Sequence, residues 1–188
     1  MRLYMREKVL ELAEEELQAV LEQARRLEPK AIAKLSEYCY PKVFRYIFYH
    51  VNNPADVEDL TGEVCLRMVQ SIQQQKGSFK GWIYRVASNV VTDFYRRSAV
   101  RQVVDPAADS VEDIVDDTDE TGHLLNQAQL KEGLSHLTDE QREVIILKFI
   151  EGYETDEIGH MLEKSNEAVR ALQFRAITTL KKILQTEK

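Results

Sequence analysis

The side chains that could do chemistry fall into three groups along the 188-residue chain. Between positions 76 and 101 stand six bases, Lys76, Lys80, Arg85, Arg96, Arg97 and Arg101, against one acid, Asp93, with Phe79, Trp82, Tyr84, Phe94 and Tyr95 interleaved. Cations at helical spacing can follow a phosphate backbone, and an aromatic ring beside them can support an unstacked base. Positions 82, 85, 89, 92 and 96 share one helical face, which lines up Arg85, Asn89 and Arg96. Phe94 reads as core, Trp82 admits either role with core favoured, and Tyr84 is left open. Near the C-terminus, Val169, Leu172, Ala176, Leu180 and Ile183 form an apolar stripe, with Arg170, Arg175, Lys181 and Lys182 on or beside the outer face. A short helix and a turn precede it, the pattern of a helix-turn-helix. Its last helix would enter a major groove with Asn166, Glu167, Arg170 and Ala171 nearest the base edges. The plainer alternative is an amphipathic helix whose bases simply complement its dipole.

The third group is acidic: Asp56, Glu58, Asp59 and Glu63, with Arg67. Paired carboxylates can serve acid–base or metal chemistry, but these sit at a helix start and have no histidine at ligand spacing. A solvated or partner-binding face is the stronger reading. Gly-rich phosphate loops, nucleophile elbows and Cys/His nucleophile arrangements are all missing from the sequence. His50, His123, His136 and His160 are scattered, and Cys39 and Cys65 read as buried apolar thiols. The expectation is therefore no catalytic residue, no metal and no cofactor.

Two helical modules must hold these groups. In the first, Leu10, Ala13, Leu17, Val20, Leu21, Ala24 and Leu27 make one helical stripe, with Pro29 ending or interrupting that helix. A second helix follows from about Lys30, with Ile32, Leu35, Val43, Tyr46 and Ile47 for the core. Asn52-Asn53-Pro54 signals a turn, and a third helix places Val57, Leu60, Val64, Met68 and Ile72 on one stripe. A fourth, from about Lys80 to Arg97, has Ile83, Val86, Ala87, Val90 and Phe94 as its apolar face. In the second module a helix around 124–134 precedes Thr138-Asp-Glu-Gln141, which has the form of a capping box and opens a helix carrying Val144, Ile145, Leu147 and Phe149. Gly152 stops that helix, Thr155 is the expected cap of a short one, and Ser165 caps the last. Gly159 is small where two helices must cross closely.

Charge separates the modules. The net charge of −7 speaks at first against a nucleic-acid partner. Residues 102–122, however, hold eight acids, one proline and no base, so this segment alone carries −8 and the rest of the chain +1. The segment cannot bury enough apolar surface to offset the entropy of ordering and reads as a tether. The expected class is all-α: modules 1–101 and 123–188 joined by a flexible acidic linker, 102–122. Apolar runs never exceed four residues, and the N-terminus runs straight into charged residues. Membrane insertion and secretion are thus not expected, and the protein reads as cytoplasmic.

Asp56-Val-Glu-Asp-Leu-Thr-Gly-Glu-Val-Cys-Leu-Arg67 and Phe79-Lys-Gly-Trp-Ile-Tyr-Arg-Val-Ala-Ser-Asn-Val-Val-Thr-Asp-Phe-Tyr-Arg-Arg97 resemble the signature stretches of the second region of bacterial sigma factors. Leu137-Thr-Asp-Glu-Gln-Arg-Glu-Val-Ile-Ile-Leu-Lys-Phe-Ile-Glu-Gly152 and the helix-turn-helix after it resemble the fourth. Factors with only these two regions form the extracytoplasmic-function group of the sigma-70 family. The resemblance implies an alternative sigma factor, not an enzyme by itself. Asp56, Glu58, Asp59, Leu60, Glu63 and Arg67 would dock on the clamp helices of the largest subunit of core RNA polymerase, with a further contact at its flap region. Lys80, Trp82, Tyr84, Arg85, Asn89, Arg96 and Arg97, with the loop before them, would open the −10 promoter element and hold a flipped base. Ser165, Asn166, Glu167, Arg170, Ala171 and Arg175 would read the −35 element. The acidic linker would thread channels built for nucleic acid, and an anti-sigma factor would hold the protein off.

Against the family pattern, the helix-turn-helix turn carries Glu163-Lys164 where Gly and an apolar residue are usual, and Glu154 stands where a serine cap is usual. Two rival readings predict different behaviour. A helix-turn-helix repressor using only residues 123–188 would bind an operator without polymerase. A pure interaction module would tolerate loss of Arg85, Arg96 and Arg170.

Overall fold

The structure, a computed structural model, describes residues 10–104 and 129–186, all of whose regular elements are helical. It divides into two compact units, with the boundary between Val111 and Glu112. Most of the acidic segment (105–122) and the start of the helix expected near 124 lie outside the described residues.

The first unit packs α1 (Glu14–Arg25), α2 (Pro29–Phe48), α3 (Pro54–Ser71) and α4 (Phe79–Val104), with a 3-10 turn at Ile72–Gln74. Leu17, Leu21 and Ala24 of α1, Leu35, Val43, Phe44 and Ile47 of α2, Val57, Val64 and Met68 of α3, and Ala87 and Val90 of α4 meet in one core, all buried. The helix starts follow from local chemistry. Pro29 and Pro54 each occupy the first helical turn, where a missing N–H costs nothing. Asn53 Oδ1 accepts the Ala55 N–H at 2.9 Å.

Several expectations change here. Pro29 opens α2; α1 has already ended at Arg25, where the Leu27 N–H donates to the Ala24 carbonyl (2.9 Å) and the Glu28 N–H to that of Gln23 (3.2 Å). This pair of bonds puts Leu27 in the left-handed region at φ 60, and its side chain is 48% exposed instead of lying on the stripe. Ala13 precedes α1 and is exposed as well. The fourth helix begins at Phe79 and reaches Val104, past both Arg97 and the expected start of the linker. Cys39 is buried as expected, whereas Cys65 is only half-buried.

The second unit comprises α5 (129–135), α6 (Asp139–Ile145) continuing as a π turn (Ile146–Ile150), α7 (Thr155–Leu162) and α8 (Asn166–Thr186). Thr138 and Gln141 form the capping box. The Arg142 guanidinium holds the end of α5, donating to the carbonyls of Leu134 (3.0 Å), Ser135 (3.3 Å) and Leu137 (3.4 Å). The π turn, marked by a bond from the Glu151 N–H to the Ile146 carbonyl, inserts one residue and rotates the following face. Ile146 and Leu147 are therefore fully buried, and Phe149, expected in the core, is 60% exposed. Glu154, and not Thr155, holds the N-cap position of α7, and the Glu157 carboxylate accepts its N–H at 2.8 Å.

Candidate polymerase and nucleic-acid interfaces

On α3, burying Val57, Leu60, Val64 and Met68 turns Glu58, Asp59, Gly62 and Leu66 outward. Leu60 therefore belongs to the core, at 5% exposure, and is removed from the expected docking face. Leu66, which the apolar stripe leaves out, is 57% exposed one turn beyond Gly62 on the outward face. Asp56 is half-buried at the start of the same helix.

Glu63 and Arg67, also expected on this face, turn toward α4 instead. Arg67 pairs with Glu63 one turn earlier and with Asp93 of α4 at 3.4 Å. Arg97 reaches the other Glu63 oxygen at 3.6 Å. The charges alternate in sign across α3 and α4, joining residues that sequence had assigned to separate partners. Each pair is partly solvated and so worth at most about 1 kcal/mol. Beside them Arg67, Gln70, Ser71, Val86 and Asn89 line a groove of about 300 Å³.

Along α4, Arg85, Asn89 and Arg96 are exposed, as their shared helical face requires. Trp82 is half-buried, its ring 5.8 Å from that of buried Phe79. Lys80 meets Glu14 of α1 at 3.2 Å; the Glu14 carboxyl is held below its usual range by Gln18 first and by Lys80 second. Tyr84 is corrected from the expected nucleic-acid face: at 2% exposure it packs 5.4 Å from the ring of Tyr46, and no base can reach it. The segment from Gln73 to Ser78 is exposed except at Gln75, which is 4% exposed.

In the second unit the helix-turn-helix closes without glycine at its turn. Glu163 takes the left-handed conformation (φ 54, ψ 43) that family patterns give to Gly. The Lys164 N–H then donates to the Gly159 carbonyl at 2.9 Å. Gly159 admits this approach because a Cβ there would stand 2.9 Å from the Lys164 carbonyl oxygen. Ser165 caps α8, its hydroxyl accepting the Ala168 N–H at 3.2 Å. The Glu167 carboxyl is held below its usual range, chiefly by its own backbone N–H and then by the Ser165 hydroxyl. Ser165, Asn166, Glu167, Arg170 and Arg175 are exposed, Ala171 is half-buried, and Val169, Leu172 and Ala176 face the core. Sequence reasoning missed Phe174, which is 73% exposed between Arg170 and Arg175.

The described residues thus form two α-helical units, one carrying a basic helix beside an acidic one and the other a helix-turn-helix. Family models for Sigma-70 region 2 and Sigma-70 region 4 match residues 35–101 and 133–182. The chain is 31% identical over 172 residues to the ECF RNA polymerase sigma factor BldN of Streptomyces coelicolor, covering 88% of this chain and 64% of that protein. It is 30% identical to the ECF RNA polymerase sigma factor SigX of Bacillus subtilis, covering 76% of this chain and 78% of that one. The solved structure of CnrH in complex with the cytosolic domain of CnrY shares the fold, with a TM-score of 0.72 at 20% identity over 91% of this chain and 98% of that one. The chain belongs to the extracytoplasmic-function RNA polymerase sigma factors of the sigma-70 family.

Proposed function

We propose that this protein docks on core RNA polymerase through α3 and directs it to promoters by engaging a −10 element with α4 and a −35 element with α8. The observation that carries the reading is the order of its surfaces: an acidic face with Leu66 at its C-terminal end, a basic row along α4, and a capped helix N-terminus bearing Asn166, Glu167 and Arg170. Glu58, Asp59 and Leu66 form the polymerase contact, with Asp56, Glu63 and Arg67 supporting it. Arg85, Asn89 and Arg96, flanked by Lys80, Trp82 and Arg97, track the −10 strand. Ser165, Asn166, Glu167, Arg170, Ala171 and Arg175 read the −35 duplex. The acidic segment that follows α4, up to residue 122, acts as the tether between the units.

The protein is not a catalyst in this scheme; it works in the cytoplasm, where polymerase is, and an anti-sigma factor covers its polymerase- or DNA-facing surfaces. Among the described residues no helix is long and apolar enough to cross a membrane. The test is run-off transcription with core polymerase on promoters located by mapping start sites after overexpression. Specific initiation is expected. Tight core binding without initiation at any of those promoters defeats the reading.

A further inference from the structure

The family match begins at residue 35, so α1, which ends at Arg25, lies outside it. Yet α1 holds the segment that leads into α4. Arg25 Nη2 donates to Gln75 Oε1 at 2.6 Å and to the Gln75 carbonyl at 3.4 Å. Gln75 Nε2 donates in turn to the Gly77 carbonyl at 2.8 Å, and Gln73 Nε2 returns a bond to the Arg25 carbonyl at 3.3 Å. The buried Gln75 is therefore a pin, with its amide oxygen facing α1 and its amide nitrogen facing the loop. Gly77 accommodates the resulting turn at φ 72, and Ser78 Oγ then accepts the Gly81 N–H at 3.3 Å at the start of α4.

The other side of the guanidinium is occupied by Glu22, while the buried Arg25 Nε finds no hydrogen-bond partner among the described residues. Gln74, Lys76 and Gly77 remain exposed around the pin. A loop held at its middle and open at its rim presents its side chains at a fixed angle, and fixing that angle beforehand is what lets a loop discriminate between bases.

We propose that Arg25 is a positioning residue: through Gln75 it sets the shape in which the loop around residues 73–78 reads an unpaired promoter base. The inference rests on the promoter-opening role given to this segment above. Open-complex formation by the full chain with core polymerase is compared on a mapped promoter and on the same template with single −10 substitutions. Arg25→Gln and Gln75→Leu are each expected to lower the discrimination ratio about tenfold, the size expected for losing a charge-assisted hydrogen bond. The double variant should lose no more than either single one, and Arg25→Lys, which keeps the charge and the stem but not the planar fork, should fall between. Binding to core polymerase and to −35 duplex should be unchanged.

Equal loss on all templates with the ratio intact would mean that Arg25 only supports the fold, and additive losses would mean that the two residues act separately; either overturns the proposal. If Arg25→Gln does not fold, Arg25→Lys alone decides by whether its ratio falls. Gln74→Ala and Lys76→Ala separate the two levels of argument. If they leave the ratio unchanged, the loop does not read the base; if they change it and the Arg25 variants do not, only the positioning inference fails.

Discussion

Replacing Gly159 by alanine tests the geometry that presents α8 to DNA. The added Cβ would stand 2.9 Å from the Lys164 carbonyl oxygen and 3.0 Å from Asn166 Oδ1, so the turn must retreat by about 0.5 Å to reach ordinary contact at 3.4 Å. The obstructing atom is backbone, and the Lys164 N–H that donates to Gly159 is drawn away with it. Alanine's helix preference over glycine returns about 1 kcal/mol. Displacing packed backbone costs about 1–3 kcal/mol, and weakening the turn hydrogen bond about 1 kcal/mol more. The net expectation is a loss of about 1–3 kcal/mol confined to the second unit. Trp82, the only tryptophan, reports on the first unit, so its fluorescence unfolding curve should stay in place. Amide exchange from α7 and α8 should accelerate about tenfold or more. Asn166 moves with the turn, so −35 affinity should fall alongside. Unchanged or slower exchange in α7 and α8 would refute the close approach of the turn to Gly159.

Leu27→Gly should stabilise the first unit by about 1 kcal/mol, because it removes a Cβ from a left-handed residue whose side chain is half in water; the readout is the urea midpoint followed at Trp82. Arg96→Ala and Arg170→Ala should each weaken promoter binding and reduce the salt dependence by about one unit of log-log slope, measured by titration across salt concentrations; an unchanged slope removes that residue from the phosphate contacts. Burial pushes the Cys65 thiol up from 9.0 to about 11, and burial also pushes Cys39 up. A thiol raised on folding contributes stability that is intact below its unfolded value and fades as pH rises through its folded one. Alkylation of Cys65 should therefore be slow at pH 8, and the urea midpoint should hold to about pH 8 and drop between about pH 9 and 11; rapid alkylation at neutral pH would contradict this burial.

Helix periodicity made the core of α3 readable because Val57, Leu60, Val64, Met68 and Ile72 repeat cleanly at three and four residues, and all five are buried. The same pattern should have kept Leu60 off the docking face, since a residue cannot serve both sides of one helix. Tyr84 was open because its ring suits either a base or a core; only the facing Tyr46, far away in sequence, decides between them. Phe149 was misplaced because a π turn shifts the helical phase by one residue, and that shift leaves no signature in the local apolar pattern. Leu66 and Phe174 escaped for a complementary reason: periodicity finds apolar residues that match a core stripe and is silent about those that do not. The Arg25–Gln75 contact joins positions 50 residues apart and depends on how α1 lies against the loop, a property of tertiary packing.

The length of α4 gives it two mechanical regimes. At 1.5 Å per residue its 26 residues extend about 39 Å, and over residues 79–99, where side-chain burial is described, the last buried side chain is Val91. Up to Val91 it behaves as a beam clamped in the bundle. Just beyond, the Tyr95 hydroxyl, which donates to the His50 carbonyl, and Arg97, which reaches Glu63, act as stays. The half that carries Trp82 and follows the loop is thus held by burial, while Arg96 and Arg97 stand on a stretch held by polar contacts at the surface.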